Sequence, residues 1–145
     1  MSHDPSCVFC RIVAQEAPAH EVLRTPTVVA FLDVRPVFRG HVLVVPAEHV
    51  VTLPDLAADR LPDYMGTVQM LSRAVPQALG AQGTFVAVNN VVSQSVPHLH
   101  THVVPRTKGD GLRGFFWPRT SYDEGEAART AERIRTVVEE LSSSR

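Results

Sequence analysis

The sequence predicts an α+β domain built around an antiparallel sheet. Short segments rich in β-branched residues are separated by turns that contain proline or glycine, and helical periodicity occurs in only two long stretches. Strand and helix segments do not alternate regularly and no internal repeat is visible, which argues against a doubly wound parallel sheet. With 145 residues, 44% of them hydrophobic, the chain has the size of one domain with one core.

Five segments have the composition of strands. In chain order they are 21–24, 28–32, 41–46, 84–88 and 98–104. The turn at Pro26 indicates that the first two form an antiparallel pair. The third segment is the most apolar and ends at Pro46, which favours a central position in the sheet.

Two segments have the periodicity of helices. Between residues 61 and 79 apolar side chains recur at three- and four-residue spacing, with Pro62 at the start and Gly80 at the end. Pro76 lies inside this pattern and predicts a kink or an early end, because proline removes a backbone hydrogen bond. A second helix is predicted over residues 124–141.

The charge balance excludes several classes of partner. The 14 basic and 15 acidic residues nearly cancel, so we expect no strong attraction to nucleic acids or to anionic membranes. No apolar stretch approaches the roughly 20 residues that span a bilayer, and the polar start lacks the apolar core of a signal peptide. A cytoplasmic location is therefore expected.

Three histidines, His98, His100 and His102, alternate with other residues in the last third of the chain. On a strand that rises about 3.3 Å per residue they would share one face, about 6.6 Å apart. Neutral imidazole is nucleophilic near neutral pH, and a neighbour can hold its second nitrogen in the required tautomer. The pattern predicts a nucleophile flanked by hydrogen-bond donors; a solvated strand that binds metal adventitiously is the alternative.

Two cysteines, Cys7 and Cys10, are separated by two residues near the N-terminus. In a reducing compartment this spacing indicates metal or redox chemistry more than a structural disulfide. Zinc requires about four nitrogen or sulfur ligands, so two further ligands are needed, and His49 and His98 are the candidates. Two free buried cysteines are the alternative.

The segment 94–106, which reads QSVPHLHTHVVPR, resembles the His-x-His-x-His signature of histidine triad (HIT) proteins. The resemblance extends to residues 7–12, 31–36, 40–46 and 111–119 and so covers nearly the whole chain. It implies a HIT-like fold, with a five-stranded antiparallel sheet, one long central helix and a C-terminal helix. It also implies a single domain over 1–145, with a core at about 5–108 and a C-terminal loop and helix at 109–145, and a homodimer formed through the helix and the sheet edge.

Within that family, the chain is similar to bacterial members that carry an N-terminal Cys-x-x-Cys zinc motif, to nucleoside phosphoramidate hydrolases and to dinucleoside polyphosphate hydrolases. The resemblance implies a nucleotide hydrolase or nucleotidyl transferase that acts at the α-phosphate of purine nucleotides. His100 would form a covalent nucleotidyl intermediate, and His102 and His41 would bind the phosphate and orient the nucleophile. Ser95 would lie near the leaving group, and His98 completes the catalytic set.

The resemblance also implies a binding set for the nucleoside and a structural zinc. Asp33 would bind the ribose hydroxyls, whereas Asn89 and Gln94 would contact phosphate, ribose or leaving group. The base would lie between Phe9, Ile12, Phe31 and Val34, although periodicity alone favours ordinary core for these four. The zinc ligands would be Cys7, Cys10, His49 and His98.

One segment departs from the family pattern. The tripeptide Val91-Val92-Ser93 stands where family members carry a longer, glycine-containing loop, so the geometry around the phosphate is expected to differ. A nucleotide-binding protein with vestigial catalysis is therefore the first rival, and a metal-storage or metal-sensing module is the second. Arg106 and the aromatic segment 114–119 are candidates either for reading the leaving group or for packing.

Overall fold

The computed structural model describes residues 2–112 and 119–143 of the chain. Two compact units are present, Met1–Asp110 and Gly111–Arg145. The first unit contains two helices and five strands, which in chain order are α1 Val8–Val13, β1 Glu21–Arg24, β2 Val28–Leu32, β3 Val42–Pro46, α2 Leu61–Leu79, β4 Gly83–Val88 and β5 Thr101–Arg106. The second contains helix α3, Glu126–Ser143.

The five strands form one antiparallel sheet in the order β1-β2-β3-β5-β4. This architecture confirms the predicted α+β class, and β3 occupies the central position expected from its apolar composition. The register pairs Leu43 of β3 with His102 of β5, and His102 in turn with Ala87 of β4. His102 is therefore fixed in the interior of the sheet by a neighbouring strand on each side.

Strand alternation divides the core between the two faces of the sheet. Val28, Ala30, Val42 and Val44 pack with buried residues of α2, including Tyr64. Their neighbours along β2 and β3 face the opposite way and pack with α1; they are Val29, Phe31, Leu43 and Val45. Because side chains alternate along a strand, Leu43 and its ladder partner His102 share the α1 face, where the candidate site lies.

Helix α2 spans the predicted residues, with Pro62 in its first turn and Gly80 closing it at φ 68°. The predicted early end at Pro76 was wrong, since the helix continues to Leu79. Val75 is buried beside Pro76, and the Pro76 carbonyl accepts the capping N–H groups of Gly80 and Ala81. This packing and capping offset the hydrogen bond that proline removes.

The structure differs from the prediction at α1 and at several strand ends. Helix α1 was not predicted, because its six residues are too few to show a helical repeat. The predicted last strand begins at Thr101 instead of His98, because its ladder with β3 ends at the pair Val44–Thr101. Before that point the Leu99 N–H donates to the Val50 carbonyl, so His98 and His100 do not lie on a regular strand face.

Helix α3 begins two residues after the predicted start and has no buried residue within its own unit. Its apolar side chains Ile134, Val138 and Leu141 are more than half exposed. No helix in the described part of the chain is long and apolar enough to cross a bilayer. The single-domain organisation expected from the sequence stays a prediction.

Candidate active site

A cavity of about 440 Å³ opens on the α1 face of the sheet. Eight of the predicted nucleotide-site residues line it, namely Phe9, Ile12, Phe31, Asp33, Val34, Ser95, His100 and His102. Asn89 and Gln94 are absent from its lining. Residues that the sequence did not single out, including Val8, Leu43 and Val96, complete the wall.

His100 is buried at the edge of this cavity, and its ring orientation is fixed by the main chain. Its Nδ1 lies 2.7 Å from the His98 carbonyl oxygen, which can only accept, so Nδ1 carries the proton. In the neutral ring the lone pair is therefore on Nε2. The ring is 4% exposed and lies edge-on to Phe9, with ring centroids 5.1 Å apart. A neutral imidazole with a free Nε2 is the form required of a nucleophile.

His102 and His41 form a hydrogen-bonded chain that also begins at the main chain. The Val37 N–H donates to His41 Nδ1 over 3.0 Å, so the His41 proton is on Nε2. His41 Nε2 then donates to His102 Nδ1 over 2.9 Å. The remaining proton of His102 is thus on Nε2, where it is available to a ligand in the cavity.

Burial keeps these two imidazoles neutral. It lowers the pKa of His102 to about 4, assisted by the neighbouring imidazoles of His100 and His41. Burial also lowers the pKa of His41, although the nearby Asp33 carboxylate opposes this shift. Both rings are therefore in the neutral state that the hydrogen-bond chain requires near pH 7.

Asp33 lies where the cavity meets the histidine chain. One of its oxygens is 3.7 Å from His41 Nε2, and the other accepts the Arg35 N–H over 2.9 Å. The carboxylate lines the cavity and is partly exposed. It is therefore positioned both for a polar ligand group and for an electrostatic contact with His41.

The apolar wall of the cavity comes from α1 and β2. Phe9 and Phe31 stand edge to face with ring centroids 5.4 Å apart, and Ile12 is buried beside them. These three are both core and cavity wall, so the two interpretations of the sequence are compatible. Val34 is 85% exposed, which excludes the core interpretation for that residue.

The Gln94 side chain hydrogen-bonds to neighbouring backbone groups and does not line the cavity. Its Oε1 accepts the Val91 N–H, and its Nε2 donates to the Val51 carbonyl over 2.6 Å. Val91 and Ser93 have φ angles of 70° and 62°, in the left-handed region that favours glycine. The short loop thus takes, with non-glycine residues, backbone geometry that glycine would adopt without strain. The predicted ligand contacts of Asn89 and Gln94 stay predictions.

The four predicted metal ligands converge below the cavity. The ligand atoms of Cys7, Cys10, His49 and His98 all lie within 4.8 Å of one another. Cys10 Sγ is 3.2 Å from His49 Nδ1 and 3.6 Å from His98 Nδ1, and Cys7 Sγ is 3.4 Å from His98 Nδ1. A tetrahedral zinc site separates its ligand atoms by about 3.3–3.8 Å, so this donor set, called here the metal cluster, fits the ion.

The surroundings of the metal cluster favour ligation in two ways. His98 Nε2 donates to the Pro46 carbonyl over 3.0 Å, which leaves the lone pair on Nδ1, the atom that faces both sulfurs. The sulfurs accept backbone N–H groups, from Asp4 to Cys10 and from Cys10 to Cys7. Burial lowers the pKa of His98 to about 4, which keeps its ring neutral, and raises the pKa of the metal-free Cys10 thiol.

Arg106 is engaged away from the cavity. Its guanidinium group pairs with Asp110, with Nε and Oδ2 2.7 Å apart. Most of the aromatic segment 114–119 lies outside the described residues, and its predicted place over the site stays a prediction.

The backbone groups that fix the imidazoles could not be inferred from residue types. The Val37 N–H and the carbonyls of Pro46 and His98 each determine one tautomer. Every residue carries a carbonyl and every residue except proline carries an N–H, so the sequence holds no signal for which of them bind the imidazoles.

Comparison with known proteins identifies the family of the chain. The HIT domain family model matches residues 14–109, about two thirds of the chain. The chain therefore belongs to the histidine triad family, as its motifs predicted.

Several individual proteins are similar to the chain over most of its length. A HIT-like protein of Mycobacterium tuberculosis is 41% identical over 73% of this chain and 75% of its own length. The adenosine 5′-monophosphoramidase of Schizosaccharomyces pombe is 32% identical over 95% of this chain and 97% of its own. A zinc-bound histidine triad protein of Mycobacterium smegmatis aligns over 97% and 98% of the two chains with TM-score 0.70 and 36% identity.

Proposed function

We propose that this protein hydrolyses purine nucleoside phosphoramidates through a covalent nucleotidyl intermediate on His100. The observation that carries the proposal is the 2.7 Å hydrogen bond from His100 Nδ1 to the His98 carbonyl. It leaves the Nε2 lone pair of a cavity-lining imidazole free to attack phosphorus. Relatives named adenosine 5′-monophosphoramidases, such as that of S. pombe, support this substrate class.

In the first step His100 Nε2 attacks the α-phosphorus and forms a phosphorus–nitrogen bond. The bond from phosphorus to the leaving nitrogen breaks as that nitrogen takes up a proton from solvent, relayed by the Ser95 hydroxyl that lines the cavity, and the amine departs. In the second step water attacks the same phosphorus and loses a proton to solvent, the bond to His100 breaks with return of the electron pair to Nε2, and the nucleoside monophosphate leaves. Division into two displacements is the general advantage of covalent catalysis.

Neighbouring groups would stabilise the charge that develops on the phosphate. The His102 Nε2–H is an oriented donor, because the chain from Val37 through His41 fixes its tautomer before a substrate binds. Ser95 lines the same cavity and supplies a hydroxyl for the leaving group. The substrate would also be held by Asp33 at the ribose and by Phe9, Ile12, Phe31 and Val34 around the base.

A structural zinc is proposed for the metal cluster. Cys7, Cys10, His49 and His98 would hold the ion, which would supply folding energy and no reacting group, because all four positions are filled by protein ligands. The zinc-bound relative from M. smegmatis supports this assignment.

We also propose a cytoplasmic homodimer. Strand β4 forms one edge of the sheet and Val86 on it is 42% exposed, while Met70 on the adjacent helix α2 is 51% exposed. Apolar side chains at a sheet edge are typical of a surface that pairs with another copy. A Cys-x-x-Cys pair that serves as metal ligands, and not as a disulfide, is typical of a reducing compartment.

Steady-state turnover tests the proposed activity. Wild type should release AMP from adenosine 5′-monophosphoramidate, and His100→Ala should not; diadenosine polyphosphates and mixtures with acceptor alcohols would measure the leaving-group range and any transfer activity. AMP binding without turnover in wild type would contradict the proposal and favour the nucleotide-binding rival. Metal binding without any nucleotide binding would favour the metal-storage rival.

A further inference from the structure

The metal cluster and the nucleotide cavity share one short helix. Cys7 caps the N-terminus of α1 and Cys10 lies in its first turn, while Val8, Phe9 and Ile12 of the same helix line the cavity. The Phe9 ring contacts both sites, edge-on to His98 at 5.9 Å and to His100 at 5.1 Å between centroids. Any movement of α1 therefore changes both sites together.

Helix α1 is too short to be stable alone and depends on contacts at its two ends. It has six residues, and isolated helices shorter than about 12–15 residues are marginal in water. At its C-terminal end the Arg24 guanidinium donates to the carbonyls of Ile12 and Val13. At its N-terminal end the polar attachments within the described residues run mainly through the sulfurs of Cys7 and Cys10. An ion bound by both sulfurs would hold this end against His49 and His98.

From this arrangement we infer that metal and nucleotide bind with positive coupling, transmitted through α1. The inference rests on the proposed function, because it requires the nucleotide to occupy the cavity. The metal stabilises the docked position of α1, and the docked helix supplies Phe9 and Ile12 to the base. By linkage, each ligand raises the affinity for the other by the same factor.

Coupling through α1 predicts a difference in nucleotide affinity that a purely structural metal would not produce. If the ion only raised global stability, folded metal-free protein would bind nucleotide as tightly as the loaded protein. If α1 is the connection, the metal-free fold lacks a fixed apolar wall and binds the base more weakly. Phe9 is then a positioning residue for His100, and its contact with the nucleophile is complete only when α1 is docked.

Calorimetric titration with AMP, the product, tests the coupling without any need for turnover. The dissociation constant for AMP is measured for zinc-loaded and for metal-free protein, with far-UV circular dichroism to verify that the latter is folded. The dissociation constant for Zn²⁺ is measured by competition with a chromophoric chelator, with and without saturating AMP. We expect AMP to bind about tenfold more weakly to the metal-free protein, and Zn²⁺ to bind more tightly by the same factor when AMP is present.

If the metal-free protein unfolds, a variant with weakened metal affinity tests the coupling instead. His49→Gln keeps both cysteines and leaves every residue of the cavity unchanged, so its AMP affinity should rise with zinc concentration as the weakened site fills. In Phe9→Leu, by contrast, AMP affinity should depend less on zinc. Equal AMP affinity with and without zinc overturns the coupling alone, whereas failure of AMP to bind either form overturns it together with the nucleotide site.

Discussion

The metal cluster and the histidines of the cavity use the same type of side chain in opposite ways. His98 donates through Nε2 to the Pro46 carbonyl and presents Nδ1 to two sulfurs, whereas His100 donates through Nδ1 to the His98 carbonyl and presents Nε2 to the cavity. The first cluster is closed around four ligand atoms, and the second opens on a cavity of about 440 Å³. Main-chain carbonyls thus decide which nitrogen each ring offers. Access to the cavity distinguishes the open histidine site from the closed metal cluster.

The largest effect is expected from replacement of His100, which should abolish activity and leave zinc-dependent stability unchanged. In His100→Ala the loss of the nucleophile should lower kcat/KM for adenosine 5′-monophosphoramidate by at least about 10³-fold. Zinc-dependent stability should persist, because the metal cluster is intact. His20→Ala, at an exposed position outside both clusters, is the matched control and should keep full activity. Near wild-type turnover by His100→Ala would show that His100 is not the nucleophile.

A substitution in the metal cluster should instead change the dependence of stability on zinc. In Cys10→Ser the unfolding free energy should no longer rise with added zinc, whereas wild type should gain about 4 kcal/mol when free zinc exceeds its dissociation constant a thousandfold. Urea unfolding with and without zinc measures the difference. If wild type also shows no dependence on zinc, the four residues do not form a zinc site.

Asp33 lies between the cavity and His41, and its replacement should have an intermediate effect on activity. Asp33→Asn should lower kcat/KM about tenfold, because a hydrogen bond to a charged acceptor is weakened. Comparison with a substrate that lacks the ribose hydroxyls separates its two contacts. With that substrate, any remaining difference between variant and wild type measures the contact with His41, which lies 3.7 Å away. Equal loss of kcat/KM with both substrates would show that Asp33 does not act through the ribose hydroxyls.

The smallest expected effect concerns pH. Because burial lowers the pKa of His102 from 6.5 to about 4, the unfolded chain binds its proton more readily than the folded protein between these values. This group should therefore lower stability as pH falls from about 6.5 to 4, with no further loss below. Chemical denaturation across that range should give a shallower decline for His102→Gln than for wild type. Parallel curves for the two proteins would show that His102 is not held neutral by folding.

The sequence predicted the sheet and the long helix because their signals are repeated along many residues. The apolar, β-branched composition of 41–46 and the spacing in 61–79 each average over several side chains. Both segments formed, except that β3 begins after His41 and α2 continues past Pro76. Helix α1 is too short to show such a repeat, and its position depends on long-range contacts of Cys7 and Cys10. The start of β5 was misplaced because strand ends depend on the partner strand.

The same contrast applies to the site residues. Side chains with distinctive chemistry, such as His100 and Asp33, were located from the motif and lie in the cavity. Gln94 has equally distinctive chemistry, but backbone groups of Val91 and Val51 engage its amide. The motif therefore located side chains that line the cavity, whereas residue types alone do not indicate the backbone partners that Gln94 has in the structure.

Detection of the covalent intermediate tests the central claim most directly. Wild-type protein is mixed rapidly with adenosine 5′-monophosphoramidate, quenched in base, which preserves phosphohistidine-type bonds, and analysed by intact mass and peptide mapping. We predict one adenylyl group per chain, located at His100 and absent from His100→Ala. Turnover of the same substrate with no adduct at any time, or with an adduct on another residue, would contradict the mechanism.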